Sequence, residues 1–190
     1  EYDSSFKPHV QTDAAIAHAA SALRLDVHSQ WISTATLRIE QLSDFDALWL
    51  APGSPYRDLS RTLDAIRFAR EHNVATLGTC GGYQHMVIEF ARNVMGITDA
   101  HHAEYDPYAS RLIVLRLPCS LAGRELEISL TPGSRAADAY GASSVTERYY
   151  CNFGVNPDYV EQIANAGFAV VGKDADGDCR VLELSHHRFF

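Results

Sequence analysis

Short apolar runs alternate with stretches of helical periodicity through the first half of the chain. Residues 46–51 (Asp-Ala-Leu-Trp-Leu-Ala) form one apolar run, closed by Pro52-Gly53-Ser54-Pro55. Over residues 56–72, Leu59, Leu63, Ile66, Phe68 and Ala69 mark one face, and Arg57, Arg61, Arg67 and Arg70 mark the other. That spacing predicts a helix, which Asn73 stops. Residues 74–77 form a second apolar run, which enters Gly78-Thr79-Cys80-Gly81-Gly82. An amphipathic run from Tyr83 to Met95 follows and ends at Gly96. Strand, helix, strand and helix in this order predict a parallel sheet covered on both faces, with sites at the carboxyl ends of its strands. Pro52-Gly53 and Cys80 both fall on that rim.

The flanks are less regular. Residues 1–8 are polar. Residues 9–23 predict a helix with Ala14, Ile16, Ala17, Ala20 and Leu23 as its apolar positions, and residues 26–32 a short strand. Residues 34–45 form a connector with one helical turn or a short strand, and residues 98–110 a polar loop. Residues 111–117 and 124–130 predict two strands joined as a hairpin, residues 134–140 a short helix, and residues 145–152 an aromatic-rich strand. A helix over residues 157–166 starts at a proline and ends before Gly167. Residues 168–173 and 179–184 predict a hairpin around Asp174-Ala175-Asp176-Gly177-Asp178, which lacks the spacing and closing Glu of a calcium loop.

Chemistry concentrates at Cys80. A side chain at the apex of a strand-turn-helix elbow is forced into an unfavourable backbone conformation, and the small neighbours Gly78, Gly81 and Gly82 relieve clashes there. The following helix presents its positive end to the thiol and favours thiolate. Backbone N–H groups of the turn can stabilise an oxyanion. The plainer alternative is a buried, inert structural cysteine.

Composition narrows the options. With 190 residues, 46% of them apolar, the chain can bury one sizeable core, and the expectation is a single domain over residues 1–190. A formal net charge of -8 argues against nucleic acid and anionic membranes as partners and favours small molecules or proteins. No run of apolar residues is long enough to span a bilayer. Four widely spaced cysteines without a CxxC pair argue against a zinc knuckle or a disulfide scaffold and suit a reducing compartment, the cytoplasm. Nine histidines are mostly scattered, and the adjacent pairs His101-His102 and His186-His187 do not suit one metal. No metal and no cofactor is expected.

Leu77-Gly78-Thr79-Cys80-Gly81-Gly82-Tyr83-Gln84 resembles the nucleophile elbow of the class I, triad-type glutamine amidotransferases, and is most similar to the glutaminase domains of CTP synthases. Residues 65–71 (Ala-Ile-Arg-Phe-Ala-Arg-Glu), 88–96 (Ile-Glu-Phe-Ala-Arg-Asn-Val-Met-Gly) and 103–107 (Ala-Glu-Tyr-Asp-Pro) carry the same resemblance. It implies a three-layer, flavodoxin-like α/β sandwich with a mostly parallel central sheet and small antiparallel hairpins. It also implies roles. Cys80 would be the nucleophile that forms a thioester, and Gly53, Ser54 and Gly81 would form the oxyanion hole. Gln84 would line the pocket, and Glu104 would hold the substrate's α-amino group.

The departures are specific. Residues 147–156 (Glu-Arg-Tyr-Tyr-Cys-Asn-Phe-Gly-Val-Asn) line up with the family's Glu-Arg-His-Arg-His-Arg-Tyr-Glu-Val-Asn. Tyr150 stands where a family arginine helps to hold the glutamine carboxylate, and tyrosine offers no cationic fork. Ser54 replaces the second glycine of Pro-Gly-Gly. The family's base lies in a Phe-His-Pro-Glu motif that is absent here, and the expectation is that this segment and the first strand are missing from the chain.

Other residues have plainer readings. His85 is expected to pack, Gln84 can equally cap backbone, and Glu104 can cap a loop. His102-x-Glu104 and His186-His187 are weak substitutes for the base. Cys119, Cys151 and Cys179 read as structural, with Cys151 near the site if its strand follows the family. The expected function is release of ammonia from glutamine or a related amide, and the expected partners are the small-molecule amide and an ammonia-accepting synthase or a second copy of the chain. The alternatives are an impaired homologue that binds a small amino-acid-like ligand or a partner protein, and a cysteine hydrolase acting on another amide or ester.

Overall fold

A computed structural model describes residues 2–185, 187 and 188. Its organising unit is a parallel pair, β1 (Ala47–Leu50) and β2 (Ala75–Gly78), in register from Ala47 opposite Ala75 to Leu50 opposite Gly78. The crossover is α2 (Leu59–Glu71), started by Asp58, whose carboxylate accepts the Arg61 N–H at 2.9 Å. Leu63, Ala65, Ile66 and Ala69 turn inward on α2, while Arg67 and Glu71 pair on the outside at 2.8 Å.

From β2 the chain turns directly into α3 (Gly81–Asn93). The sequence pattern suggests an amphipathic helix, but every residue from Gln84 to Ala91 is buried. The reason is position: α3 packs against α2, β1 and β2 as well as β3, β4 and β7. Its polar residues are therefore core residues that need partners. Glu89, fully enclosed, takes a fork from Arg70 at 2.8 Å and the Asn93 amide at 3.1 Å.

β3 (Ala100–His102) runs parallel to β4 (Arg111–Arg116), and β7 (Phe153–Val155) joins β4 antiparallel. A further antiparallel sheet has the order β6-β5-β8-β9, from β5 (Glu125–Leu130), β6 (Ser144–Arg148), β8 (Phe168–Asp174) and β9 (Cys179–Leu184). The main core joins Met86, Val87, Ile88 and Phe90 of α3 to Ile113 and Val114, Phe168 and Leu182, and to Ile163 of α5 (Pro157–Asn165).

Several local expectations change. Residues 111–117 and 124–130 do not pair with each other. β4 commits Ile113 and Val114 to the core under α3, whereas β5 commits Ile128 and Leu130 to a second cluster with Val171 and with Ala136 and Ala137 of α4 (Arg135–Tyr140). Residues 26–32 form no strand, and Val27 lies exposed. The strand expected over 145–152 stops at Arg148, because β6 pairs with β5 while β7 pairs with β4, leaving 149–152 to cross between sheets. The loop expected over 98–110 contains β3. The connector holds a 3₁₀ turn at Ile39–Asp44. α1 (Lys7–Leu23) buries His9 and Thr12 rather than its alanine-rich stripe, which offers little area to cover. In the β8–β9 turn, Asp174 accepts the N–H groups of Asp176 and Asp178 and pairs with Arg180 at 2.7 Å, so this carboxylate is satisfied internally. Among the described residues no helix is long and apolar enough to cross a membrane.

Candidate active site

Cys80 ends the β2 turn with φ 51° and ψ −112° and caps α3. A non-glycine residue held there costs on the order of 1–3 kcal/mol, so the surroundings must enforce it. They do so by close approach. A Cβ at Gly82 would overlap the Leu50 carbonyl, and one at Gly81 would overlap the Gly53 carbonyl. Only glycine lets α3 start this near β1 and the Pro52-Gly53 loop. Thr79 is fixed from two sides: its N–H donates to Leu50 O at 3.2 Å, and its hydroxyl accepts from Trp49 at 2.9 Å.

The sulfur is half-buried and surrounded by donors. Cys151 Sγ–H donates to Cys80 Sγ at 3.3 Å. That bond, followed by the N–H groups of Gly53 and Gly81, holds the Cys80 thiol down to about 6, against opposing contributions from burial and the Glu104 charge. The partner moves the other way. Donation to Cys80, with burial, pushes the Cys151 thiol well above its ordinary range. Both shifts have one cause, the bond from Cys151, which favours charge on Cys80 and the proton on Cys151.

Two of the expected oxyanion groups thus converge, the N–H groups of Gly53 and Gly81. Ser54 packs beside Gly81, and a cis peptide joins it to Pro55. His9, at the start of α1, supports this loop from behind. Its Nδ1 accepts the Asp3 N–H at 2.9 Å, so Nε2–H donates to Pro52 O at 2.9 Å. Nothing in the sequence pattern marks His9 for this role, since its partner lies 43 residues away.

Glu104 follows β3 and carries its charge close enough to act on Cys80. Its Oε2 is buried and has no hydrogen-bond partner among the described residues. A carboxylate oxygen left in that state is suited to a cationic group brought by a ligand. Gln84 is placed differently from the pocket-lining expectation. It is buried, its amide donates to Phe153 O at 3.0 Å, and its Oε1 accepts from His102 Nε2 at 2.9 Å. It ties α3 to β3 and β7.

The histidines around the elbow are similarly committed. His102 Nδ1 accepts the Glu104 N–H at 3.0 Å, which fixes the loop carrying Glu104. Burial first, then the neighbouring imidazoles, lowers His102 to about 3. His85 Nδ1–H donates to Gly81 O at 2.6 Å, and its Nε2 accepts the Tyr105 hydroxyl at 2.8 Å. Burial lowers His85 to about 4. Tyr105 oxygen also accepts the Tyr56 N–H at 2.8 Å. This chain of contacts braces the first turn of α3 against both flanking loops. His85 is thus a packing residue, as expected. Its link to Tyr105 could have been sought from the aromatic beside Glu104.

Tyr150 is about half exposed, and it is its neighbour Cys151 that reaches the elbow. His187 Nε2–H donates to Arg70 O at 2.6 Å, and Arg188 O accepts the Thr76 N–H at 2.8 Å. This segment therefore follows the start of β2, at the opposite end of the strand from Cys80. His186, the other half of that pair, lies outside the described residues. Cys119 is exposed, and Cys179 is buried with its sulfur 3.3 Å from the Tyr83 hydroxyl. Among the described residues no cluster of three or more His, Cys, Asp or Glu could hold a metal ion.

The family profile described as glutamine amidotransferase class-I matches residues 9–190. A CTP synthase of Koribacter versatilis is 34% identical over 208 aligned residues, covering 100% of this chain and 37% of that protein. A CTP synthase of Staphylococcus carnosus is 33% identical over 204 residues, covering 100% and 38%. The chain therefore spans little more than a third of the length of these curated relatives. Among solved structures, the glutaminase domain of Trypanosoma brucei CTPS with bound acivicin superposes with a TM-score of 0.87. It is 22% identical, covering 100% of this chain and 80% of that one, a likeness that shows the fold.

Proposed function

The chain belongs to the class-I glutamine amidotransferases, and from that premise we propose that Cys80 attacks the side-chain amide of glutamine or a close analogue. The thiolate adds to the amide carbon, and the resulting oxyanion accepts the N–H groups of Gly53 and Gly81, with Ser54 shaping the loop. The amide nitrogen takes a proton from water and leaves as ammonia, and hydroxide then hydrolyses the thioester to the free acid and restores the thiolate. Glu104 binds the substrate's ammonium group through its unpartnered oxygen, and the segment at Tyr150 meets the rest of the substrate without a cationic fork. The released ammonia passes to a synthase unit of the kind named in the relatives.

One observation carries this reading: Cys80 is held at φ 51° at the elbow, where the Gly53 and Gly81 N–H groups favour its charged form. The test is ammonia and glutamate release from glutamine, with mass spectrometry after exposure to a glutamine-mimicking chloroketone. The expected result is turnover that Cys80→Ala abolishes and an adduct at Cys80. Hydrolysis unchanged in Cys80→Ala would refute it.

A second reading has its own support. His85 and His102 both have their two ring nitrogens engaged in hydrogen bonds within the fold. That favours an impaired homologue that binds an amino-acid-like ligand. Calorimetric binding of glutamine without turnover is its signature.

A further inference from the structure

Cys151 does more in this geometry than donate a hydrogen bond. Its sulfur lies 3.3 Å from Cys80 Sγ, and a disulfide needs about 2.05 Å, so closure requires about 1.3 Å of movement. Cys151 lies in the irregular crossing at residues 149–152, held by backbone bonds from Leu121 to Cys151 O and from Leu117 to Asn152 O rather than inside a sheet. A shift of that size breaks no strand pairing. The other cysteines are placed elsewhere: Cys119 is exposed, and Cys179 is buried against Tyr83.

We propose that Cys80 and Cys151 form a site of reversible oxidative modification, in which Cys151 is the resolving thiol for a peroxide-oxidised Cys80. The Cys80 thiolate attacks one oxygen of a hydroperoxide and breaks the O–O bond. With hydrogen peroxide this yields the sulfenic acid and hydroxide. Cys151 then loses its proton and attacks the sulfenic sulfur. The S–S bond forms, the S–O bond breaks, and the oxygen leaves as water. Two thiols are oxidised by two electrons and one peroxide is reduced to two waters. The disulfide removes the nucleophile, and a dithiol restores it. Without a resolving thiol in reach, the sulfenic acid continues to sulfinic acid, which a dithiol does not reverse.

This inference rests on the geometry of the pair and not on the amide chemistry. The experiment treats the reduced full chain with one to ten equivalents of hydrogen peroxide, then alkylates it in denaturant with N-ethylmaleimide. Intact mass and a non-reducing peptide map follow. The chain has 4 cysteines, so the expected change is from 4 alkylated thiols to about 2, with Cys80 linked to Cys151, returning to 4 after dithiothreitol. In Cys151→Ser the same treatment leaves no such link, and sulfinic Cys80 accumulates at least roughly tenfold above the wild-type chain. Equal sulfinic acid in both proteins overturns the inference, as does a link to Cys119 or Cys179, or a Cys80 that peroxide leaves unmodified. A disulfide that forms in a protein with no glutaminase activity leaves this inference standing and removes only the reading of the site.

Discussion

Replacing Cys151 with alanine isolates what holds Cys80 as a thiolate. The Cys80 thiol sits at about 6 rather than 9.0, about 3 pH units and, at 1.36 kcal/mol each, about 4 kcal/mol of preference for the charged form. The bond from Cys151 is the largest favourable contribution, ahead of the Gly53 and Gly81 N–H groups. A hydrogen bond to a charged group contributes about 1.5–3 kcal/mol, or roughly 1–2 pH units. Cys151→Ala should therefore move the midpoint for Cys80 alkylation from about 6 to between about 7 and 8. At pH 6.5 the thiolate fraction falls from roughly three quarters to between roughly a quarter and a thirtieth, and because nucleophilicity rises with thiolate basicity (slope about 0.4–0.5) iodoacetamide slows by no more than about 4-fold. Above about pH 9 the order inverts, because a more basic thiolate is the better nucleophile. The assay is the pH dependence of the alkylation rate under reducing conditions, with the adduct mapped to Cys80. Cys151→Ser keeps an O–H donor and should keep a midpoint nearer the wild-type value. A Cys151→Ala midpoint within about 0.3 units of wild type refutes the argument. So does an equal shift in both variants, which would assign the effect to altered packing.

Three other outcomes follow from the same geometry. Gly82→Ala forces a Cβ onto the Leu50 carbonyl and should cost about 1–3 kcal/mol, read as a lower thermal midpoint, with loss of Cys80 reactivity as the elbow opens. Arg70→Met strands the enclosed Glu89 charge and should cost about 3–5 kcal/mol in urea unfolding, most of which Glu89→Gln in the same chain restores. His85 and His102 sit at about 4 and about 3 when folded, below a free imidazole, so the unfolded chain binds more protons than the folded one from about pH 6.5 down to those values. Their contribution is complete above about 6.5 and is lost as pH falls, at up to about 3 kcal/mol per pH unit for two protons. Urea unfolding at pH 7, 6 and 5 checks it, and stability that stays flat over that range contradicts it.

The first half of the chain was legible because local signals and tertiary demands agree there. The apolar run before Pro52-Gly53, the arginine-marked face of α2 and the glycines around Cys80 each mean the same thing locally and globally. The second half was harder because strand partners are set by sequence-distant faces. β4 and β5 look like neighbours, yet Ile113 and Ile128 serve different cores. α3 misleads for a related reason. Gln84 is expected to line a pocket or cap backbone and His85 to pack, but periodicity names no partner for them or for Glu89: each is buried with a partner elsewhere in the chain, Phe153, Tyr105 and Arg70 respectively. Periodicity detects apolar faces and is blind to polar residues that are satisfied internally.

The same blindness hides what the buried polar residues around the elbow do. A thiol at an elbow suggests a search for an imidazole, and the chain offers His85 and His102 close by. Their ring nitrogens are already engaged: His85 holds Gly81 O and Tyr105, and His102 holds Gln84 and the Glu104 N–H. Both are lowered so far that they stay neutral at pH 7. They position the groups that face the sulfur and do not take its proton. Thiolate formation is instead supported by Cys151 and by two backbone N–H groups, and one of these, Gly53, belongs to the loop that His9 braces through Pro52. Side-chain identity at Cys80 was readable because elbows need small neighbours. The resemblance also pointed to the Gly53 and Gly81 N–H groups and to Cys151 near the site; what it did not give is that Cys151, 71 residues away, donates to the sulfur.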